Sequence, residues 1–310
     1  MPPCRLDFGT SGVRSCLVDC RRMNNSSIDM NNPEAFIIRH EGQLLWRNEG
    51  LSADSPTSWL IALEQLITGI PDTLRSRIDR ICVSGTSSSA VIYDCESAAV
   101  SSERGTRMYN FNIRDHDPVK ADQVMKLILN RCPTDSATAA TTSTLAKLLL
   151  WQLERPLRPL EVLIHQADYV SNALRVPGFS SLSASASAPI QPESLTSDWH
   201  NALKLGYDVH ELQYPAWLLS LLREDLQMAS CPLPAQVLQP GQVAGSLCPS
   251  VAARLNLPLS CAVVAGDSRC IQRTSKDRLV NSSFSRSTAQ ARRTASRRFL
   301  HLGRVNSARL

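Results

Sequence analysis

The chain reads as an α/β protein with a mixed sheet and helices on both of its faces. Three observations carry this. Short apolar runs of strand type come early, near residues 4–8, 14–19, 43–47, 80–84 and 89–93. Helical spacing dominates later, near 142–154, 166–174 and 214–226. Two helix starts are marked by their cap chemistry. Ser55-Pro56 and Asp117-Pro118 each set a side-chain acceptor before a proline at the first helical position. The helix after Ser55 lines up Leu60, Leu63 and Ile67 on one face. Asn and Ser crowd residues 23–33, which predicts a loop, and the Ser/Ala-rich 180–187 predicts a flexible one. No unit of 20–50 residues repeats.

Composition narrows the class. A length of 310 residues allows one large domain or two modest ones. Hydrophobic residues make up 43% and aromatics only 5%, so the expected core is aliphatic. No run approaches the ~18 apolar residues of a membrane span, and Met1–Arg5 lacks the apolar stretch of a signal peptide. The cysteines are scattered without a C-x-x-C pair, and Cys4, Cys82 and Cys261 fall in expected buried strands. This predicts a reduced, cytoplasmic chain. Cys16 and Cys20 have no His partners nearby, so no zinc site is expected there. The net charge of +5 is unevenly placed. From Arg273 to Leu310, nine Arg and one Lys stand against Asp277, a net +9 that leaves −4 for the rest. The basic tail has two aromatics, Phe284 and Phe299, and no nucleic-acid module, so nucleic acid is not the expected partner. Its low hydrophobicity and high charge predict disorder.

The most informative stretch is Leu6-Asp7-Phe8-Gly9-Thr10-Ser11-Gly12-Val13-Arg14, followed by Ser15–Asp19. It reads as strand, tight turn and returning strand, with a carboxylate near the end of the first strand. Turn glycines let backbone N–H groups converge on an anion. Two hydroxyls add donors, and Asp7 is placed to hold a divalent metal, directly or through water. A plain polar hairpin is the alternative. A second turn, Ser84-Gly85-Thr86-Ser87-Ser88-Ser89, offers short donors and acceptors of the kind that polyol recognition needs. Its alternative is a Ser-rich turn bonding its own backbone.

Leu6–Arg14 resembles the first phosphate-binding hairpin of the sugar-kinase and actin superfamily. Later segments narrow the resemblance to the FGGY carbohydrate kinases. Ile81 through Asp94 resembles that family's second hairpin, whose turn faces the sugar. Thr144 through Trp151 is similar to its S-x-x-x-K-x-x-W helix, and His165 through Val170 to the segment that follows. Ser197-Asp198-Trp199-His200-Asn201-Ala202 matches an S/T-D-x-x-N-A element. Leu233-Pro234 through Gly241 and Gly245 resembles a Pro-Gly element, and Val263-Val264-Ala265-Gly266-Asp267 resembles the entry to the second domain. The match runs in order over residues 5–268. The Gly-Thr-Ser-Ser turn and Leu203–Asp208 look most like the ribulose/xylulose kinase branch of cyanobacteria and plants.

The resemblance implies a ribonuclease H-like, actin-like ATPase domain. It also implies a sugar-binding domain over residues 1–262, the start of a nucleotide domain at 263–272 and a basic low-complexity tail at 273–310. It implies ATP and Mg²⁺ as cofactors and a ketopentose, such as D-ribulose or D-xylulose, as substrate. A homodimer is left open. Asp7 would lie near the metal and touch the sugar. Gly9, Thr10, Ser11 and Gly12 would face the γ-phosphate, and Arg14 would pair with phosphate. Ser87, with Thr86 and Ser88, would contact the sugar. Asp267 would be the general base, with a turn or helix cap as its alternative. Asp198 and Asn201 read as a helix cap and its partner, Lys147 as a solvated or sheet-edge residue, and His165 with Asp168 as a structural hydrogen-bond pair. Phe111 stands where the family has an acid. The family's second domain is not visible after residue 272. Two readings therefore follow: an ATP-dependent kinase, or a truncated and inactive remnant that binds sugar or a partner.

Overall fold

The first strand sets the frame of this computed structural model, which describes residues 3–20, 36–183, 189–228 and 230–266. In β1 (Pro3–Phe8) alternate residues turn inward, and Cys4, Leu6 and Phe8 are fully buried. The chain returns antiparallel as β2 (Gly12–Cys20), pairing Asp7 with Arg14, and again as β3 (Phe36–Leu45), pairing Gly12 with Leu45. The third strand starts earlier than its apolar signal at 43–47 and ends in a single 3₁₀ turn, Trp46–Asn48. Next come α1 (Pro56–Thr68), α2 (Asp72–Arg75), β4 (Arg80–Gly85), β5 (Ala90–Asp94) and β6 (Ala99–Val100). Helices α3 (Ile113–His116), α4 (Pro118–Arg131) and α5 (Thr144–Glu154) lead to β7 (Glu161–His165) and α6 (Gln166–Arg175). The remaining elements are β8 (Thr196–Asp198), α7 (Trp199–Leu203), α8 (Ala216–Ser220), β9 (Gln236–Leu238), β10 (Val243–Ser246), α9 (Pro249–Leu255) and β11 (Ala262–Val264).

Helix caps follow the sequence chemistry. Ser55 accepts from the Ser58 amide and Asp117 from the Lys120 amide, each ahead of its proline. Such a cap contributes about 1 kcal/mol. The helix expected over 214–226 is divided into α8 and a π turn at Leu221–Asp225.

The main sheet is mixed, in the order β10-β11-β4-β1-β2-β3. Strands β1, β4 and β11 run parallel, and the outer strands run antiparallel to their neighbours. The expected second hairpin, β4 with β5, does not form. Both edges of β4 are taken by β1 and β11, so β5 crosses into a separate sheet, β6-β5-β7. Both β5 and β7 are buried throughout because they divide two cores. Val91, Tyr93, Val162 and Ile164 join Leu6, Phe8, Trp59, Leu63, Tyr169 and Val251. Ala90, Ile92 and Leu163 join Val124, Leu148 and Trp151. Cys4, Cys82 and Cys261 are buried, as expected.

The described residues lie within one compact unit, Met1–Ser268. The expectations for residues 23–33, 184–187, Asp267 and the tail at 273–310 fall outside the described residues. The beginning of the expected flexible loop is packed, since Leu182 and Ser183 are buried.

Candidate functional site

Parallel strands bring their carboxyl ends to one edge of a sheet, where open α/β sheets bind ligands. Here β1, β4 and β11 are adjacent, with Asp7 opposite Ser84 and Val264 opposite Cys82. Gly266, two residues beyond Val264, passes close against β4. A Cβ on it would stand 2.0 Å from the Val83 carbonyl oxygen, so only glycine fits without a backbone shift. Asp267 follows directly, outside the described residues.

Asp7 lies on the face opposite Leu6 and Phe8 and is half-buried. Burial pushes its carboxyl above the usual range, and the exposed Arg14 across the ladder pulls it partly back. The first turn is closed by the Gly9 amide, which donates to the Gly12 carbonyl at 2.9 Å. Trp46 braces it from behind: its indole donates to the Gly9 carbonyl at 3.1 Å and its amide to the Ser11 carbonyl at 3.2 Å. Thr10 and Ser11 are exposed, and among the described residues their amides donate to no backbone carbonyl. Two N–H groups and two hydroxyls are thus left to an anion. Gly12 serves a different purpose. A Cβ there would lie 2.1 Å from the Leu44 carbonyl oxygen, so this glycine gives room to β3.

Phe8 pairs with Gly85, so the second turn leaves the sheet beside the first. A hydrogen-bond relay fixes it. The Tyr109 amide donates to the Ser89 hydroxyl at 2.9 Å, and Ser89 and Thr86 share a 2.5 Å contact. Thr86 donates through both its amide and its hydroxyl to Gln166 Oε1, at 2.9 and 2.8 Å. Thr86 is therefore engaged within the protein. Ser87 is exposed at the tip. Ser88 is buried in a left-handed conformation, φ 65°, and its hydroxyl has no partner among the described residues. A non-glycine residue in that region costs about 1–2 kcal/mol and is common at functional sites.

Lys147 differs from the sequence reading. It is fully buried, and its ammonium donates to the Ser88 and Met108 carbonyls, each at 2.7 Å. Thr144–Trp151 of α5 is buried on every side, so its one lysine finds acceptors inside, on segments distant in the sequence. Burial, with Lys204 and Arg107 nearby, pushes Lys147 down to about 7. Tyr109, 43% exposed, stands beside this turn as an aromatic surface that the sequence did not single out. Phe111 is half-buried against the Arg107 guanidinium, 4.8 Å from its ring centre. Arg114 pairs with Asp122 in solvent.

Behind β11 lies a second polar cluster. His165 Nδ1 and Asp168 Oδ2 are 2.9 Å apart, the structural pair expected, and the Ser197 hydroxyl donates to the same carboxylate at 2.6 Å. Asp198 caps α7, accepting from the His200 and Asn201 amides at 2.8 and 3.1 Å. The Asn201 side chain donates to it at 2.7 Å. Burial, then the Asp168 charge, pushes the Asp198 carboxyl up. A pocket joins Asp168, Ser171, Ser197 and Asp198 to Ala265 and Gly266 at the sheet edge.

No group of three or more His, Cys, Asp or Glu that could cage a metal occurs among the described residues. Mg²⁺ does not require one, because it keeps several waters and takes one or two carboxylates plus substrate phosphates. Asp7 beside the Thr10 and Ser11 hydroxyls fits that chemistry. The same turn fits the terminal phosphate of a nucleotide.

No protein-family model matches the chain. Several solved structures share its fold. The xylulose kinase of Bifidobacterium adolescentis aligns with a TM-score of 0.61 at 15% identity, over 87% of this chain and 54% of its own. A ligand-bound xylulose kinase from Lactobacillus acidophilus aligns at 0.58 and 13% identity, over 86% and 47%. The ADP-bound glycerol kinase of Plasmodium falciparum aligns at 0.55 and 12% identity, over 85% and 48%. The chain spans about half the length of these proteins. The likeness identifies the fold as a mixed α/β domain of the sugar-kinase, actin-like ATPase type.

Proposed function

We propose that this chain is the sugar-binding half of a carbohydrate kinase of the FGGY type, closest to the ribulose/xylulose branch. The whole enzyme would transfer the γ-phosphate of ATP to a hydroxyl of a ketopentose such as D-ribulose or D-xylulose. One observation carries the reading. Asp7, the Thr10-Ser11 turn, the Thr86–Ser89 turn and Gly266 meet at the shared carboxyl edge of three parallel strands.

Each residue then has a task. Phosphoryl transfer needs a positioned acceptor, a base and neutralised phosphate charge. Thr10, Ser11 and Arg14 hold phosphate oxygens, with Gly9 and Gly12 shaping the turn. Asp7 would hold Mg²⁺, directly or through water, and would also touch the sugar. That ion would neutralise charge on the phosphates. Ser87 presents its hydroxyl to the sugar, Tyr109 offers a face to stack on, and Thr86 and Ser88 set the turn's shape. Asp267 takes the proton of the attacking hydroxyl. A cytoplasmic setting suits these substrates. No helix among the described residues is long and apolar enough to cross a membrane.

The test separates binding from turnover. Calorimetry with D-ribulose, D-xylulose, glycerol and gluconate reads binding, and sugar-dependent ADP release with Mg-ATP reads turnover. Binding with turnover that Asp267→Asn abolishes supports a kinase. Binding without turnover supports the sugar-binding remnant. No binding of any of the four refutes both.

A further inference from the structure

We propose that Lys147 is a positioning residue that clamps two separate segments, Ser87–Ser88 and Met108–Tyr109, into one sugar-recognition surface. The inference rests on reading that edge as a sugar site. Lys147 sits on α5, within a run from Thr144 to Trp151 in which every side chain is buried. An aliphatic residue would fill this place without the desolvation cost of an ammonium. What the lysine supplies is donors. It reaches the Ser88 carbonyl and the Met108 carbonyl at 2.7 Å each. Both carbonyls lie in irregular segments, and buried acceptors need partners. Among the described residues the Ser88 carbonyl accepts from no backbone amide, while the Met108 carbonyl also accepts from the Phe111 amide at 2.9 Å.

The geometry of the two segments makes the clamp consequential. Ser88 holds φ at 65° without being glycine, so something must hold it. Its carbonyl is bound by Lys147, while the neighbouring Ser87 is the exposed residue of the turn. On the other side, Tyr109 follows Met108 directly and donates its amide to Ser89. A single ammonium thus ties the exposed serine and the exposed tyrosine to the same helix. The helix is itself held, since the Arg107 guanidinium donates to the Lys147 carbonyl at 2.7 Å. Among the described residues, the charged neighbours that shift Lys147 are cations, Lys204 and Arg107, so no ion pair holds it there.

The test uses the full chain and the variants Lys147→Met, Ser88→Gly and the double variant, all below their melting temperatures. Hydrogen exchange at the Ser89 and Tyr109 amides reads the clamp itself, without any ligand. Calorimetry with the sugar that the unaltered chain binds best reads its effect. Lys147→Met should speed exchange at both amides at least tenfold and weaken sugar binding at least tenfold, with the near-UV spectrum kept. Glycine adopts positive φ freely, so adding Ser88→Gly should recover part of the lost affinity. A purely structural lysine would lower the melting temperature but leave the folded variant's sugar affinity within twofold. That result would overturn the inference, as would unchanged exchange. If the unaltered chain binds none of the sugars, the functional reading falls with the recognition role, and the exchange result then decides the clamp alone.

Discussion

Replacing Gly12 by alanine tests whether the first turn is shaped by its own third strand. The added Cβ would meet the Leu44 carbonyl oxygen at 2.1 Å and the Leu45 Cα at 3.0 Å. Ordinary contact begins near 3.4 Å, so the methyl intrudes by more than 1 Å on backbone that cannot rotate away. Either β3 moves off β2 at its Leu45 pair, or the turn tilts. Overpacking of this kind costs about 1–3 kcal/mol. For a domain of this size that lowers the melting temperature by about 2–12 °C. Gly9→Ala is the control. Its Cβ would lie 3.3 Å from the Gly12 carbonyl, and neither glycine has a positive φ, so its cost should stay below about 1 kcal/mol. Thermal melts by circular dichroism compare the three proteins, and phosphate protection of the melt reads the turn. Equal melting of Gly12→Ala and the unaltered chain, or a larger loss for Gly9→Ala, would refute the reasoning.

Other consequences follow from buried charge. Burial alone would raise Glu161, but the Arg104 fork and the Arg158 amide draw it down to about 2. Both partners of the Arg104–Glu161 pair are buried, so Glu161→Gln, which strands the guanidinium, should cost about 3–5 kcal/mol in a urea titration; a loss below 1 kcal/mol would contradict this. Lys147 keeps its proton only to about 7 in the fold. In the unfolded chain it keeps it to about 10.4. The unfolded state therefore binds more protons between those values, and this group's contribution to stability rises with pH across that window. Lys147→Met should flatten that rise, and an identical slope in both proteins would speak against it. At the exposed tip, Ser87→Ala should weaken sugar binding about tenfold while moving the melt by less than about 0.5 kcal/mol; unchanged affinity would remove Ser87 from the site.

What the sequence disclosed was mostly local. Ser55, Asp117 and Asp198 act as caps because a short acceptor before a helix meets amides only two or three residues away. The alternation in β1 and the His165–Asp168 pair are equally near-range. The misses involve distant partners. The family resemblance implies a hairpin of β4 and β5, but β1 and β11 take both edges of β4. The β7 strand is buried on both faces but has only three apolar residues, Val162, Leu163 and Ile164, and periodicity cannot separate so short a run from a helix fragment. Lys147 read as solvated because lysine usually is. Its two acceptors lie 59 and 39 residues away, and nothing local points to them. At the site, the sequence pointed to Asp7 and the glycine-flanked turn. The grip of Gln166 on Thr86 and the exposed Tyr109 emerge only when the strand register sets the segments side by side.

Titration of the full chain with D-xylulose and D-ribulose in a calorimeter, beside the Ser87→Ala variant, addresses the central claim most directly. The account predicts saturable binding of at least one of the two sugars, weakened about tenfold by the variant. Absence of heat with both sugars, or equal binding by the two proteins, would contradict it.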